Sequence, residues 1–461
     1  MSHPASPTVF WFRRDLRLDD QPALCAAAQG APGVVGLFVA DDALLQPSGA
    51  PRRAFLAGSL AALDERMGGR LLVLHGRPET VVPRVAAAVG AAAVHAAADF
   101  GPYGRRRDQA VEQALAEQQI EFVRTGSAYA VAPGRVRKPD GTPYSVFAPF
   151  HRVWLQHGWR APATSAAGVA FVDPGDVHAG RRYRIDSLAA PVPASTELPQ
   201  PGEAAALERW QHYVSGVAGY GEDRNRPDLN RTSRMSPYLK WGCIHPRTML
   251  ADLARHRSAG AEAYRRELGF REFYADVLLH HPDSPRVSLD PVIDRLQWDS
   301  GPTVDRYLQA WKDGRTGFPY IDAGMRQLLA EGWIHNRVRM GVASFLIKDL
   351  HLAWQIGARH FMQHLVDGDV ASNTHGWQWV AGSGSQAQPY YRIFNPIGQG
   401  ERFDPDGDYV RRYVPELAGV PGKAVHRPWD LPGGLPDGYP APIVDHAAER
   451  AESLHRWEQR T

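Results

Sequence analysis

Five short apolar runs mark the first third of the chain: TVFWF, GVVGLFVA, RLLVLHG, AAVHAAA and EFVRTG. Each has strand length and favours β-branched or aromatic residues. Between them lie QPALCAAAQ, RRAFLAGSLAALDERM, PETVVPRVAAAVG and RRRDQAVEQALAEQQ, which follow a helical period. Strand–helix alternation at this spacing predicts an α/β unit over residues 6–130, a parallel sheet with helices on both faces. Sheets of that kind bind ligands beyond the carboxyl ends of their strands. No G-x-G-x-x-G follows the first strand and no G-x-x-x-x-G-K-S/T occurs, so the unit lacks a dinucleotide or phosphate-loop signature.

The periodicity fades from 131 to 202, where APGRVRKPDGTPY and AAPVPASTELPQPGE concentrate Pro, Gly, Ala and Arg. That composition predicts a long interdomain connection. From 203 to 461 the runs turn helical: EAAALERWQHYVSGVAGY, AYRRELGFREFYADVLLHH, IDAGMRQLLAEGW, VRMGVASFLIKDLHLAWQIG and RHFMQHLVDG. Strand-like runs are nearly absent there, so the expected architecture is α/β, then a linker, then an all-α domain.

At 461 residues, length alone suggests roughly three domains, and two larger units fit equally well. Hydrophobic residues at 44% and charged residues at 22% supply a sizeable core. Lys+Arg 52 against Asp+Glu 50 leaves a formal charge of +2, so a nucleic acid could be held only by a local basic patch. Cys25 and Cys243 make neither a disulfide framework nor a zinc cluster. The start, MSHPASPTVFWFRRDLRLDD, lacks the features of a signal peptide, and no apolar run approaches the roughly 18 residues of a membrane helix. A soluble cytoplasmic protein without membrane contact is expected.

Several stretches of the helical part mix incompatible groups. DGDVASNTHGWQW, Asp367 to Trp379, sets two carboxylates beside an asparagine and two indoles. In TSRMSPYLKWG, Thr232 or Ser233 is predicted to cap the next helix, whose free N–H groups suit a phosphate. RRELGFREFYADVLLHHP places Glu267, Phe270, Arg271 and Tyr274 on one helical face, an aromatic stripe whose charges need partners. GWIHNRVRMGVASF gathers Asn336, Arg339 and Met340 within about one turn. His280–His281 lacks the i, i+4 spacing of a helical metal site, and no metal is predicted. PYYRIFNP, Pro389 to Pro396, sets an arginine among aromatics, a combination that grips a phosphate and stacks a base.

In order, VFWFRRDLRLDDQPAL, TSRMSP, ELGFREFYADVL, TGFPYIDAGMRQLLAEGWIHNRVRM, ASFLIKDL and DGDVASNTHGWQW with RIFNP closely resemble the photolyase/cryptochrome flavoproteins, nearest their bacterial class I dimer-repairing members. The likeness covers nearly the whole chain. It implies an antenna role for the Rossmann-like α/β domain and FAD in the helical domain. Matching cofactor positions are Tyr220, Thr232, Ser233, Arg234, Met235 and Ser236 on the phosphate side. Nearer the ring system are Tyr264, Arg271, Arg339, Asp367, Gly368, Asp369 and Asn373. Asn373 stands where the family faces the flavin N5 atom. Trp298, Trp354 and Trp377 match an electron-relay triad, and Trp379 a wall of the substrate pocket.

The same resemblance implies blue-light repair of cyclobutane pyrimidine dimers, with a weakly repairing cryptochrome-like receptor as the alternative. Asn336 and Met340 stand where six-four photolyases carry histidines, and Glu267 and Asn336 match hydrogen-bond partners of the dimer carbonyls. Phe270 replaces a lesion-stacking tryptophan, and Tyr264 one beside the flavin. Arg224, Arg337, Arg392 and Gln399 match DNA contacts. Arg52, Asp99 and Lys240 resemble the deazaflavin-binding subgroup, which makes a deazaflavin the expected second chromophore ahead of methenyltetrahydrofolate. A monomer acting on UV-damaged DNA is expected.

Overall fold

The computed structural model describes residues 6–384 and 391–459. Strands β1 (Thr8–Phe12), β2 (Val34–Ala40), β3 (Leu71–His75), β4 (Ala93–Ala98) and β5 (Glu121–Ser127) form one parallel sheet in the order β3-β2-β1-β4-β5. β2 is buried at every position, which is why it reads as an unbroken apolar run. The crossover helices Pro22–Ala28, Ala50–Arg66, Pro78–Ala88 and Pro102–Ala116 each carry Pro in the first turn, where its missing N–H costs nothing. The chain reverses its direction of winding between β1 and β4. That switch point opens a crevice at the carboxyl ends of the two strands.

Residues 131–202 hold more structure than their composition announces. Helix Phe147–His157 buries Phe147, Phe150 and Trp154 against the helical domain. Further on, the connection returns to the sheet: Val34 bridges Phe171, and Leu74 bridges Arg182. The helical part includes helices Glu203–Val214, Ala259–His280, Pro319–Glu331, Asn336–Lys348, Trp354–His364, Val370–Ala381 and His446–Glu458. The run VRMGVASFLIKDLHLAWQIG, one helical pattern in sequence, is two helices. Buried Asp349 pairs with His446 Nδ1 at 2.5 Å, and His351 adopts a left-handed φ of 50°, which ends the first helix before Trp354 starts the second.

One hydrophobic cluster joins Phe10 and Phe12 of the sheet, Phe147 and Trp154 of the connection, and Trp210 and Phe273 of the helical domain. Beside it lies a seam of buried and half-buried charge. Arg14 pairs with Asp369 at 2.7 Å, and Arg17 donates to Gly242 O at 3.1 Å. Asp20 accepts from Arg247 Nη2 at 2.6 Å and Thr248 Oγ1 at 3.1 Å, while Glu203 accepts from the Leu18 and Asp19 amides at 2.7 and 2.8 Å. Gly242 (φ 66°) lets the two backbones meet, since a Cβ there would overlap the Arg14 carbonyl.

Glu272, 2% exposed, anchors the connection by accepting from Val131 N at 3.0 Å, Trp154 Nε1 at 2.6 Å and Ala130 N. Burial overrides these donors and pushes its carboxyl from 4.5 up to about 7. The folded chain therefore keeps a proton that the unfolded chain has lost, so this group's contribution to stability falls as pH rises through that window. In Glu272→Gln that slope is removed. Urea midpoints measured at about pH 5 and about pH 7 should lie closer together in the variant than in the wild type.

Candidate functional site

The Val370–Ala381 helix is the spine of the site. Asp369 caps it by accepting from Ser372 N at 3.1 Å and faces Arg14 on its other oxygen. Burial would raise the Asp369 carboxyl, but Arg14, Lys240 and Arg271 hold it well below the usual carboxylate range. Asn373 donates its Nδ2 to Ala358 O at 3.0 Å, so its Oδ1 is the atom left to accept a hydrogen bond. Just ahead, Asp367 accepts from Arg339 Nη2 at 2.8 Å, and Arg339 Nε also donates to Ile334 O at 2.7 Å. Gly368 lies so near the Arg52 guanidinium that a Cβ would overlap it.

The TSRMSP segment is not the cap its sequence suggests. The short helix is Ser236–Trp241, its cap position is Met235, and no side chain caps it. Register is the reason: Pro237 starts the helix later, so Thr232 and Ser233 lie before it. Ser233 Oγ pairs instead with Tyr264 Oη at 2.8 Å. Arg234 adopts φ 52°, its Nη1 donates to Glu331 at 2.7 Å, and its guanidinium covers the Trp333 ring at 4.4 Å. A non-glycine residue held there is strained, and such strain clusters at binding sites. Thr232 Oγ1, Arg234 Nε and Asp367 Oδ1 are buried without a hydrogen-bond partner among the described residues.

Helix Ala259–His280 contributes the next wall. Tyr264 packs within a cage of Trp210, Tyr213 and Tyr220, the last at 5.0 Å between ring centroids. Glu267 pairs with Arg224 at 2.8 Å; burial raises its carboxyl against the pull of that arginine. Phe270 stacks on Phe147 at 3.4 Å and 10°, with the Arg266 guanidinium over both rings. Arg271 donates to Ala128 O and Leu239 O at 3.0 and 3.1 Å. This helix packs on Val370–Ala381, which packs on Asn336–Lys348.

Asn336 is exposed at the start of Asn336–Lys348, with Arg337 and Met340 half-buried beside it. Arg337 donates to Asn225 Oδ1, the neighbour of Arg224, so Glu267, Arg224 and Arg337 form one connected group. Burial and then the cations Arg224, Arg402 and Arg392 lower the Arg337 guanidinium, against Tyr320, which marks a concentrated positive patch. Arg392 is exposed, and Gln399 sits half-buried on helix Pro396–Phe403. Pro389 and Tyr390 of PYYRIFNP lie outside the described residues.

Trp377 and Trp354 are buried, on adjacent helices; Trp298 and Trp379 are half-buried. Trp354 Nε1 donates to Ser288 Oγ at 3.0 Å. Trp377 meets Phe361 edge-on at 5.0 Å and Trp311 at 6.3 Å. Trp311, Phe147 and Arg14 give no signal in the sequence, because each meets a partner distant along the chain. Arg402 could have been found from its place next to the RIFNP motif.

A cavity of about 920 Å³ opens at the switch point, between the sheet and the helical domain. Trp11 to Arg14 and Asp99 to Gly104 line one side, and Met362, Asp369 and Asn373 the other. Arg52, Asp99 and Lys240 all line it. Arg52 directs its donors to Met362 O at 2.7 Å and Ser48 Oγ at 3.3 Å. Burial would raise Asp99, but Arg107, Arg14 and Arg13 hold it at about 2, while burial and Arg14 push Lys240 down to about 7.

Two family models match the chain: DNA photolyase over residues 8–167, and the FAD binding domain of DNA photolyase over residues 264–459. A deoxyribodipyrimidine photo-lyase of Streptomyces griseus is 42% identical, covering 97% of this chain and 98% of its own. A bacterial class III photolyase structure from Agrobacterium tumefaciens matches with a TM-score of 0.92 at 35% identity, over 100% of this chain and 98% of its own. An archaeal photolyase structure from Sulfolobus tokodaii, described with two FAD molecules, matches with a TM-score of 0.84 at 29% identity, over 98% and 99% of the two chains.

Gly357 faces the Trp377 ring so closely that a Cβ would overlap it. Glycine to alanine within a helix ordinarily gains about 1 kcal/mol. Here Gly357→Ala is expected to lose about 1–3 kcal/mol by overpacking. Chemical unfolding of the two proteins checks the sign.

Proposed function

The chain belongs to the DNA photolyase family, and we propose how its residues divide the work of repairing pyrimidine dimers in DNA. It is a carbon–carbon lyase driven by blue light through FAD. The receptor alternative is not favoured, since relatives matching end to end carry the photo-lyase name. When bound, reduced FAD supplies the photo-excited electron that splits the dimer and receives it back.

The observation that carries the cofactor reading is that Thr232 Oγ1, Arg234 Nε and Asp367 Oδ1, at three of the matched cofactor positions, are among the buried polar atoms without a hydrogen-bond partner among the described residues. A buried group left unpaired costs about 1–3 kcal/mol, which a ligand that supplies the missing partner returns. These donors and acceptors fit a molecule with phosphates at one end and an amide-rich ring at the other. Tyr220 and the stretch Thr232, Ser233, Arg234, Met235 and Ser236 would hold the phosphate side. Tyr264, Arg271, Arg339, Asp367, Gly368 and Asp369 would hold the ring and ribityl chain. Asn373, its Nδ2 engaged by Ala358, would offer Oδ1 to N5–H and so keep the proton there.

On the substrate side, Glu267 and Asn336 would donate to the dimer carbonyls, while Phe270, Met340 and Trp379 wall the pocket. A donor in place before charge develops needs no reorganisation when the electron arrives. Phe270 offers less stacking area than an indole, but Phe147 behind it keeps the ring from turning. Arg224, Arg337, Arg392 and Gln399 would grip the strand around an extruded dimer, since a lesion inside the duplex stack is out of the enzyme's reach. Trp377, Trp354 and Trp298 would carry electrons inward to restore the reduced flavin. The same reading has the protein working in the cytoplasm as a monomer.

The cleft at the switch point would hold the second chromophore. Arg106, Arg286 and Arg359 line it without an ion pair among the described residues, which favours an anionic ligand, a deazaflavin ahead of a folate. Reconstitution with a deazaflavin, methenyltetrahydrofolate or a second FAD, followed by the excitation spectrum of repair, decides among them. The deazaflavin is expected to sensitise repair most strongly, and a spectrum showing only one FAD would remove the antenna reading.

Blue light on UV-damaged DNA with the reduced holoprotein should remove dimers, and no removal would sink the repair reading. Glu267 donates only while protonated, and burial raises its carboxyl, so repair should fall as pH rises through that raised value. Glu267→Gln keeps a donor at every pH. The variant's profile should lose this alkaline decline.

A further inference from the structure

Tyr391 precedes Arg392, and its ring is clamped by two elements distant in sequence. Trp457 of the last helix, His446–Glu458, stacks on it at 4.1 Å and 12°. Lys348 Nζ lies over the same ring at 4.1 Å. An indole and an ammonium group cannot share one face at that distance, so the tyrosine is sandwiched between them. Ser453 Oγ, on the same helix, donates to Tyr391 Oη at 3.3 Å and fixes the edge of the ring.

The clamp extends to the backbone. Lys348 Nζ donates to Arg392 O at 2.5 Å, and Ser344, one turn earlier on helix Asn336–Lys348, accepts from Phe394 N at 3.3 Å. The helix that presents Asn336, Arg337 and Met340 therefore also fixes the main chain at Arg392 and just after it. Trp457 lies against Gly382 as well, at the end of the Val370–Ala381 helix. The last helix is held independently of Tyr391: His446 pairs with Asp349 at 2.5 Å, Glu449 with His351 at 2.8 Å, and Arg456 with Asp299 at 2.7 Å. Three anchors make it a fixed abutment for the loop.

We infer that Trp457 is a positioning residue for DNA binding, acting through Tyr391 to aim the exposed Arg392 at a backbone phosphate of the damaged strand. This rests on the assignment of Arg392 to the DNA-binding face. A cation on a loose segment loses affinity because the chain must be ordered at the moment of contact. With the tyrosine sandwiched, that ordering is already complete.

The test is a double-mutant cycle on the FAD-loaded protein, with binding to a UV-damaged duplex measured across a range of salt. Arg392→Ala should lower the salt slope by about 0.9. Trp457→Ala should weaken binding several-fold and lower the slope in the same direction. It should add nothing in the Arg392→Ala background. Trp457→Phe, which preserves a stacked ring, should restore binding, and Ser453→Ala should give a smaller loss of the same kind. Flavin absorption and flavin photoreduction should match the wild type in every variant, which separates this role from general loosening of the fold. If Arg392→Ala leaves the slope unchanged, the DNA-face assignment fails and the inference with it. If Arg392→Ala lowers the slope while Trp457→Ala is silent or fully additive, the inference alone fails.

Discussion

The architecture depends on a charged loop buried between two layers. Arg14, Arg17 and Asp20 follow β1 at the sheet's carboxyl edge, and their partners, Asp369, Gly242 O, Arg247 and Thr248, belong to the helical domain. A buried charge without its partner costs several kcal/mol, so these pairs tolerate few relative placements of the two domains. Coulomb attraction gives little net stability after desolvation is counted. What it gives is register. Because Asp369 both answers Arg14 and caps the Val370–Ala381 helix, that register reaches Asn373 and Trp377.

The same geometry explains why the two proposed ligand regions adjoin. The crevice at the β1/β4 switch point follows from strand order alone, and the helical domain closes it from the other side. Asp369 and Asn373 line this crevice while also standing in the proposed cofactor set. One helix thus serves both regions, and the cations around its first turn hold Asp369 ionised across the physiological range.

Much of this was visible along the chain. The five strands and four crossover helices announce themselves because β2 and its neighbours are buried on both faces and their helices alternate cleanly. The constellations around Asp367 and Glu267 were visible because unlike groups crowd into few residues. Other features depend on partners far away in sequence. Helix Phe147–His157 hides in a Pro- and Gly-rich stretch, and its value lies in Phe147 and Trp154 meeting Phe270 and Glu272. The break at Asp349–Ala353 has no proline or glycine to signal it, and it forms because Asp349 and His351 turn to His446 and Glu449. The TSRMSP stretch showed its polar groups but not their register: Pro237 sets the helix start, and Ser233 turns to Tyr264.

The connection between domains has a consequence for how the two halves stay together. Helix Phe147–His157 is embedded in the shared core, and Phe171 and Arg182 bridge back to the sheet, so the intervening polypeptide joins points already fastened elsewhere. In the finished molecule its covalent continuity is redundant with these contacts, and it matters most during folding, when it raises the effective concentration of one half near the other. A backbone cut in its exposed part would leave a bimolecular particle held by noncovalent contacts alone, the Leu16 N to Trp241 O hydrogen bond among them. Two separately synthesised fragments could therefore complement one another into the same assembly.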